Sequence, residues 1–114
     1  MNNSQIRHFS AFGKNVNEVT VGVPKETFPN ERRVALSPEA TQRLIKLGFK
    51  INIERNAGAE ADFNDKSYKD VGANIVGTEE ALKSDLILKV RAPSESEAKT
   101  LKDEAGLISF LYPA

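Results

Sequence analysis

The sequence predicts an α/β domain built on a mostly parallel sheet with helices on both faces. Three observations predict it. From residue 19 onward, short runs rich in Val and Ile alternate with capped helical stretches. A helical stretch returns to the next run across Gly48 alone, the tight return of a βαβ unit. The run LILKV at 86–90 is apolar except for Lys89, as a strand covered on both faces requires. Only Tyr112, Pro113 and Ala114 follow the last apolar run, so one face would stay partly bare and the domain is expected to be incomplete.

The elements follow in order. Residues 1–17 hold Arg7, His8 and Lys14, several Ser and Asn, and no acid, which fits either a flexible tail or the remnant of an organelle transit sequence. Domain 18–114 then opens on a strand at 19–23, where Val19, Val21 and Val23 recur at period two and Pro24 stops the ladder. The loop to Ser37 carries Lys25, Glu26, Glu31, Arg32 and Arg33, with Pro29 and Asn30 as turn formers. Ser37 caps a helix with Pro38 at its first position and Glu39 near the positive end of its dipole. Ala40, Leu44 and Leu47 make its expected buried stripe, and Gly48 closes it.

A second strand spans 50–54, and a small polar loop, RNAGAEADF, follows, in which Gly58 reads more as an ordinary turn than as a close backbone approach. Asn64 or Asp65 caps a short helix ended by Gly72, and a brief strand spans 74–76. A helix at 78–84 leads into LILKV, expected to be a central strand. Ser94 and Glu97 form a capping box for a helix whose stripe is Ala98, Leu101 and Ala105, before the strand 107–111.

Composition narrows the function classes. A chain of 114 residues with 39% hydrophobic residues supports one modest core. Sixteen basic and sixteen acidic residues cancel, so no nucleic-acid surface or polybasic membrane patch is expected. With no cysteine and one histidine, neither a disulfide framework nor a zinc site is expected. No apolar run approaches the roughly 20 residues that span a bilayer.

In open α/β sheets ligands bind outside the carboxyl ends of the strands. Lys25, Arg32 and Arg33 follow the first strand there and Arg91 follows LILKV, so they could converge on an anionic or polar ligand. The alternative is local pairing, Lys25 with Glu26 or Glu31 with Arg33, which spacing alone favours. Tyr112 either donates into the same cleft or packs on the sheet edge. GxGxxG, the P-loop, GxSxG and HExxH are all absent.

One long stretch is more specific. VGVPKETFPNERRVALSPEATQRLIKLGFKINIERNAG resembles the opening of the family shared by alanine dehydrogenase and the proton-translocating nicotinamide nucleotide transhydrogenases. The resemblance runs on through LILKVRAP to LISFLYPA. In its alanine dehydrogenases, an Arg matched by Arg33 holds the substrate carboxylate, and a Lys and a His stand where this chain has Arg91 and Tyr112. Tyrosine titrates too high to replace that histidine simply. KVRAP and ISFLYPA instead resemble the transhydrogenases, particularly the eukaryotic type, while saccharopine dehydrogenases share only the Glu-x-Arg loop.

This resemblance implies a Rossmann-like, flavodoxin-like domain at the start of an NAD(H)-binding component, whose nucleotide fingerprint lies on a second domain. It implies NAD(H) and NADP(H) in the full-length protein and no metal. Partner components would bind NADP(H) and span the membrane, and the NAD(H) component would be a homodimer. The location would be the matrix side of the mitochondrial inner membrane, or the cytoplasmic side of a bacterial membrane. Arg33, Arg91, Tyr112 and Lys25 become cleft-lining candidates, with no catalytic or cofactor-binding residue in the chain. An alanine dehydrogenase-like enzyme and a non-catalytic subunit-binding module are the alternatives.

Overall fold

The computed structural model describes residues 8–9, 14–101 and 107–110. Two short strands, β1 (His8–Phe9) and β2 (Lys14–Asn15), pair antiparallel, and Val16 beyond them is buried. Next come β3 (Thr20–Val23), α1 (Pro38–Lys46), β4 (Lys50–Glu54), α2 (Asp65–Asp70), β5 (Asn74–Val76), α3 (Thr78–Leu82), β6 (Leu86–Lys89), α4 (Glu95–Thr100) and β7 (Leu107–Phe110). The strands β3 to β7 form one sheet in the order β5-β4-β3-β6-β7, with every neighbouring pair parallel. The alternation of elements therefore produced the expected α/β sheet. LILKV lies inside it, between β3 and β7, while β3 is the middle strand.

Strand periodicity sorts the side chains onto two faces. Val21 and Val23 lie in register with Ile51 and Ile53 and form a core with Leu36, Tyr68 and Ala73 under α1 and α2. On the opposite face Gly22 meets α3 so closely that a Cβ would run into the Ala81 carbonyl and Ser84. Lys89 reaches Glu97 of α4. Both faces therefore carry helices.

The caps follow the sequence. Ser37 Oγ accepts from Ala40 N–H at 3.1 Å, and Asn64 Oδ1, rather than Asp65, accepts from Ser67 N–H at 2.9 Å. Asp65 instead accepts from the Asn56 amide at 2.9 Å. Ser94 and Glu97 exchange both bonds of the capping box, and Gly48 ends α1 at φ +110°.

Three local expectations are corrected. In α1 the fully buried residue is Thr41, whose hydroxyl returns to the Ser37 carbonyl at 2.8 Å. Leu47 is the cap residue, turned out of the stripe and 43% exposed. α4 stops at Thr100 because Leu101 is extended (φ −58°, ψ 139°), and within it Ala98 is exposed while Glu97 is the buried residue; Ala105 lies outside the described residues. Gly58 is a close approach after all, since a Cβ there would meet the Tyr68 ring and Phe63 within 3 Å.

Candidate functional site at the carboxyl edge

Pro24 releases the chain from β3 at the edge where β6 also ends. Pro29 and Asn30 turn it back, with Asn30 at φ +66° and Glu31 N–H closing on the Phe28 carbonyl at 3.0 Å. That turn sets Phe28 and Glu31 against the exit of β6.

Glu31 is the hub of the outer layer. Its side chain is 3% exposed, and its two oxygens accept from Arg33 Nη2 and Nε, each at 2.7 Å. The Arg33 amide adds a third bond at 3.0 Å, and Arg91 Nε donates to Glu31 Oε1 at 2.9 Å. Charge-assisted bonds favour the ionised acid, so Arg33 first and Arg91 second hold this carboxyl well below the usual carboxylate range. Arg91 also lays its guanidinium over the Phe28 ring, 4.4 Å from the centroid.

An inner layer lies beneath. The Lys89 side chain is 1% exposed, and its Nζ sits 3.2 Å from Glu26 and 3.3 Å from Glu97. Glu26 also accepts from the Val90 amide at 2.9 Å and the Arg91 amide at 3.3 Å. A buried lysine is tolerable only when paired in this way. On the other flank, Glu54 accepts from the Lys25 amide at 2.9 Å and from Thr78 Oγ1 at 2.8 Å, so carboxylates tie together the exits of β3, β4 and β5.

Between the two layers opens a cleft of about 360 Å³, lined chiefly by Glu26, Phe28, Pro29, Lys89, Arg91 and Pro93. Of the four residues singled out from sequence, Arg91 lines it. Arg33, 46% exposed, stands outside that lining on Glu31, and Lys25 is exposed with its backbone on Glu54. Tyr112 lies outside the described residues. The alternative pairing of Glu31 with Arg33 is present, whereas Glu26 pairs with Lys89 rather than Lys25.

Sequence reasoning missed Lys89, Glu26 and Glu97. The signal was there: one lysine in an otherwise apolar buried run demands a carboxylate partner. Sequence could not say which of sixteen acids answers it.

Ser37 and Ser94 already occupy first-turn amides of α1 and α4, and among the described residues no glycine-rich turn joins a strand to a helix. What the edge offers is a wall with an aromatic ring and a guanidinium. No helix among the described residues is long and apolar enough to cross a membrane.

The family model described as alanine dehydrogenase/PNT, N-terminal domain, matches residues 22–114. Over 92 residues the chain is 41% identical to the NAD(P) transhydrogenase subunit alpha of Haemophilus influenzae, covering 81% of this chain and 18% of that protein. The alanine dehydrogenase of Staphylococcus haemolyticus is 41% identical over 93 residues, covering 81% of this chain and 24% of that one. A solved transhydrogenase from Sinorhizobium meliloti superimposes with a TM-score of 0.74 at 38% identity, covering 77% of this chain and 26% of that one. The chain spans a minor share of each relative's length.

Proposed function

The chain belongs to the alanine dehydrogenase/PNT N-terminal domain family, and from that premise we propose that it is the opening part of the NAD(H)-binding component of a proton-translocating NAD(P)⁺ transhydrogenase. In this reading the complete protein passes hydride from NADH to NADP⁺ held on a partner component, coupled to proton movement through a membrane-spanning component. The present chain supplies one wall of the nucleotide cleft and none of the reacting groups. The NAD(H) component is a homodimer of the eukaryotic type, and its place is the matrix side of the mitochondrial inner membrane. Residues 1–17 are a leader or tail to the domain 18–114.

The observation that supports this reading is that Glu31 is already bonded to both Arg33, the match of the carboxylate-holding Arg, and Arg91. Arg33 grips it through two 2.7 Å bonds and Arg91 adds a third at 2.9 Å, so part of each guanidinium is committed to the protein's own carboxylate. Tyr112, where the resemblance expects a histidine, points the same way. An alanine dehydrogenase-like enzyme is the second reading, favoured by a relative of that name at the same 41% identity.

The purified full-length protein separates them. Transhydrogenase function predicts NADH-dependent reduction of an NADP⁺ analogue and no alanine-dependent reduction of NAD⁺. Alanine-dependent reduction would establish the second reading, and a full-length protein that binds neither nucleotide would leave a non-catalytic module.

A further inference from the structure

Lys89 lies between two carboxylates that resemble each other closely. Glu26 is 3.2 Å away with a side chain 3% exposed, and Glu97 is 3.3 Å away with a side chain 8% exposed. Their remaining bonds differ. Glu97 Oε1 stays within its own capping box, accepting from Ser94 N–H at 2.9 Å. Glu26 reaches from the loop after β3 to the neighbouring strand, where Oε2 accepts from Val90 N–H at 2.9 Å and Oε1 from Arg91 N–H at 3.3 Å.

Val90 and Arg91 are the first two residues past β6. Their amides point into the protein rather than to solvent, and one carboxylate satisfies both. The Arg91 side chain departs from that anchored peptide, with Nε on Glu31 at 2.9 Å and the guanidinium 4.4 Å from the Phe28 centroid. Phe28 is 53% exposed and comes from the same loop as Glu26, two residues on. Loop and strand exit are thus joined twice, by Glu26 underneath and by Arg91 on top.

We infer that Glu26 is a positioning residue for the cleft: its carboxylate fixes the peptide from which Arg91 reaches over Phe28, and Lys89 holds that carboxylate in place. The consequence for nucleotide affinity rests on the transhydrogenase reading. The placement of Arg91 does not.

Glu97 provides a matched control, because a purely structural ion pair would make the two acids interchangeable. In the full-length protein, a single para-fluorophenylalanine at position 28 reports the guanidinium above it by fluorine NMR. Arg91→Ala should shift this resonance, and Glu26→Gln should move it in the same direction. Glu97→Gln should leave it in place while lowering the melting temperature by a similar amount. Glu26→Asp keeps the negative charge but shortens the reach to the two amides, so it should fold and still move the resonance. An unmoved resonance in both Glu26 variants, or an equal shift in Glu97→Gln, would overturn the proposal.

NADH affinity, measured on the same variants, separates this claim from the functional reading. Glu26→Gln should weaken it by roughly 10-fold and add little to Arg91→Ala, as expected when one residue acts through another. A moved resonance with NADH affinity unchanged in every variant, Arg91→Ala included, would uphold the placement and overturn the nucleotide reading.

Discussion

The two faces of the sheet differ in the polar groups they bury. Under α1 and α2 the strands present Val21, Val23, Ile51 and Ile53, and the main polar atom among them is the Tyr68 hydroxyl, which donates to the Leu36 carbonyl at 2.8 Å. Under α3 and α4 the sheet presents Gly22, Asn52, Ile87 and Lys89, with Asn52 bonded to Ser84 at 3.2 Å and Lys89 held by two carboxylates. The first face can be repacked by any side chains of suitable shape. On the second, Asn52 and Lys89 each depend on a named partner, and those of Lys89 lead to the carboxyl edge. The dry face contributes stability alone, whereas the ion pairs of the polar face also set the geometry of the cleft.

Breaking the polar face should cost most. Lys89→Met leaves Glu26 and Glu97 facing each other without a cation and should destabilise the protein by about 3–5 kcal/mol in urea titrations. Adding Glu97→Gln should recover much of that loss, since Glu26 keeps its two backbone donors. On the dry face Ile53→Ala, at a fully buried site, should cost about 2–5 kcal/mol through the cavity it leaves, without moving the fluorine signal from position 28. If that signal shifts as far as in Glu26→Gln, the division of labour between the faces is wrong.

Gly22→Ala tests the contact between sheet and α3. The new methyl meets backbone as well as Ser84, so a loss of about 1–3 kcal/mol is expected. Tyr68→Phe should cost about 1 kcal/mol through the lost bond to Leu36. Burial first, and the Asp65 charge second, push the Tyr68 phenol up to about 12. The fold thus favours the neutral phenol. Its contribution is complete below the unfolded value of about 10 and is lost as pH rises toward the folded value; Tyr68→Phe should lack this alkaline loss in melting scans.

The smallest effect belongs to the outer layer. Glu31 is held ionised in the fold, so its contribution is present above the unfolded glutamate value of about 4.3 and is lost on acidification below it. The difference in melting temperature between the native protein and Glu31→Gln should therefore shrink as pH falls through that range.

Much of this fold was legible because its signals are local. Val at period two marked β3, and Ser37-Pro38 and the Ser94–Glu97 box marked two helix starts. Where sequence misled, tertiary contacts decided. Gly58 looks like a loop residue until Tyr68 packs against it, and Leu47 fits the stripe of α1 until the helix ends beneath it. Of the site, Glu31 with Arg33 was readable because the partners are two residues apart. Glu26 and Lys89 were not, because 63 residues separate them and only the parallel pairing of β3 with β6 brings them together.

The most direct test of the account is Arg33→Ala in the full-length protein, with thermal melting and NADH affinity measured side by side. On the proposed reading Arg33 serves Glu31, which predicts a lower melting temperature with NADH affinity unchanged. Weakened NADH binding at an unchanged melting temperature would contradict it and return Arg33 to the ligand site.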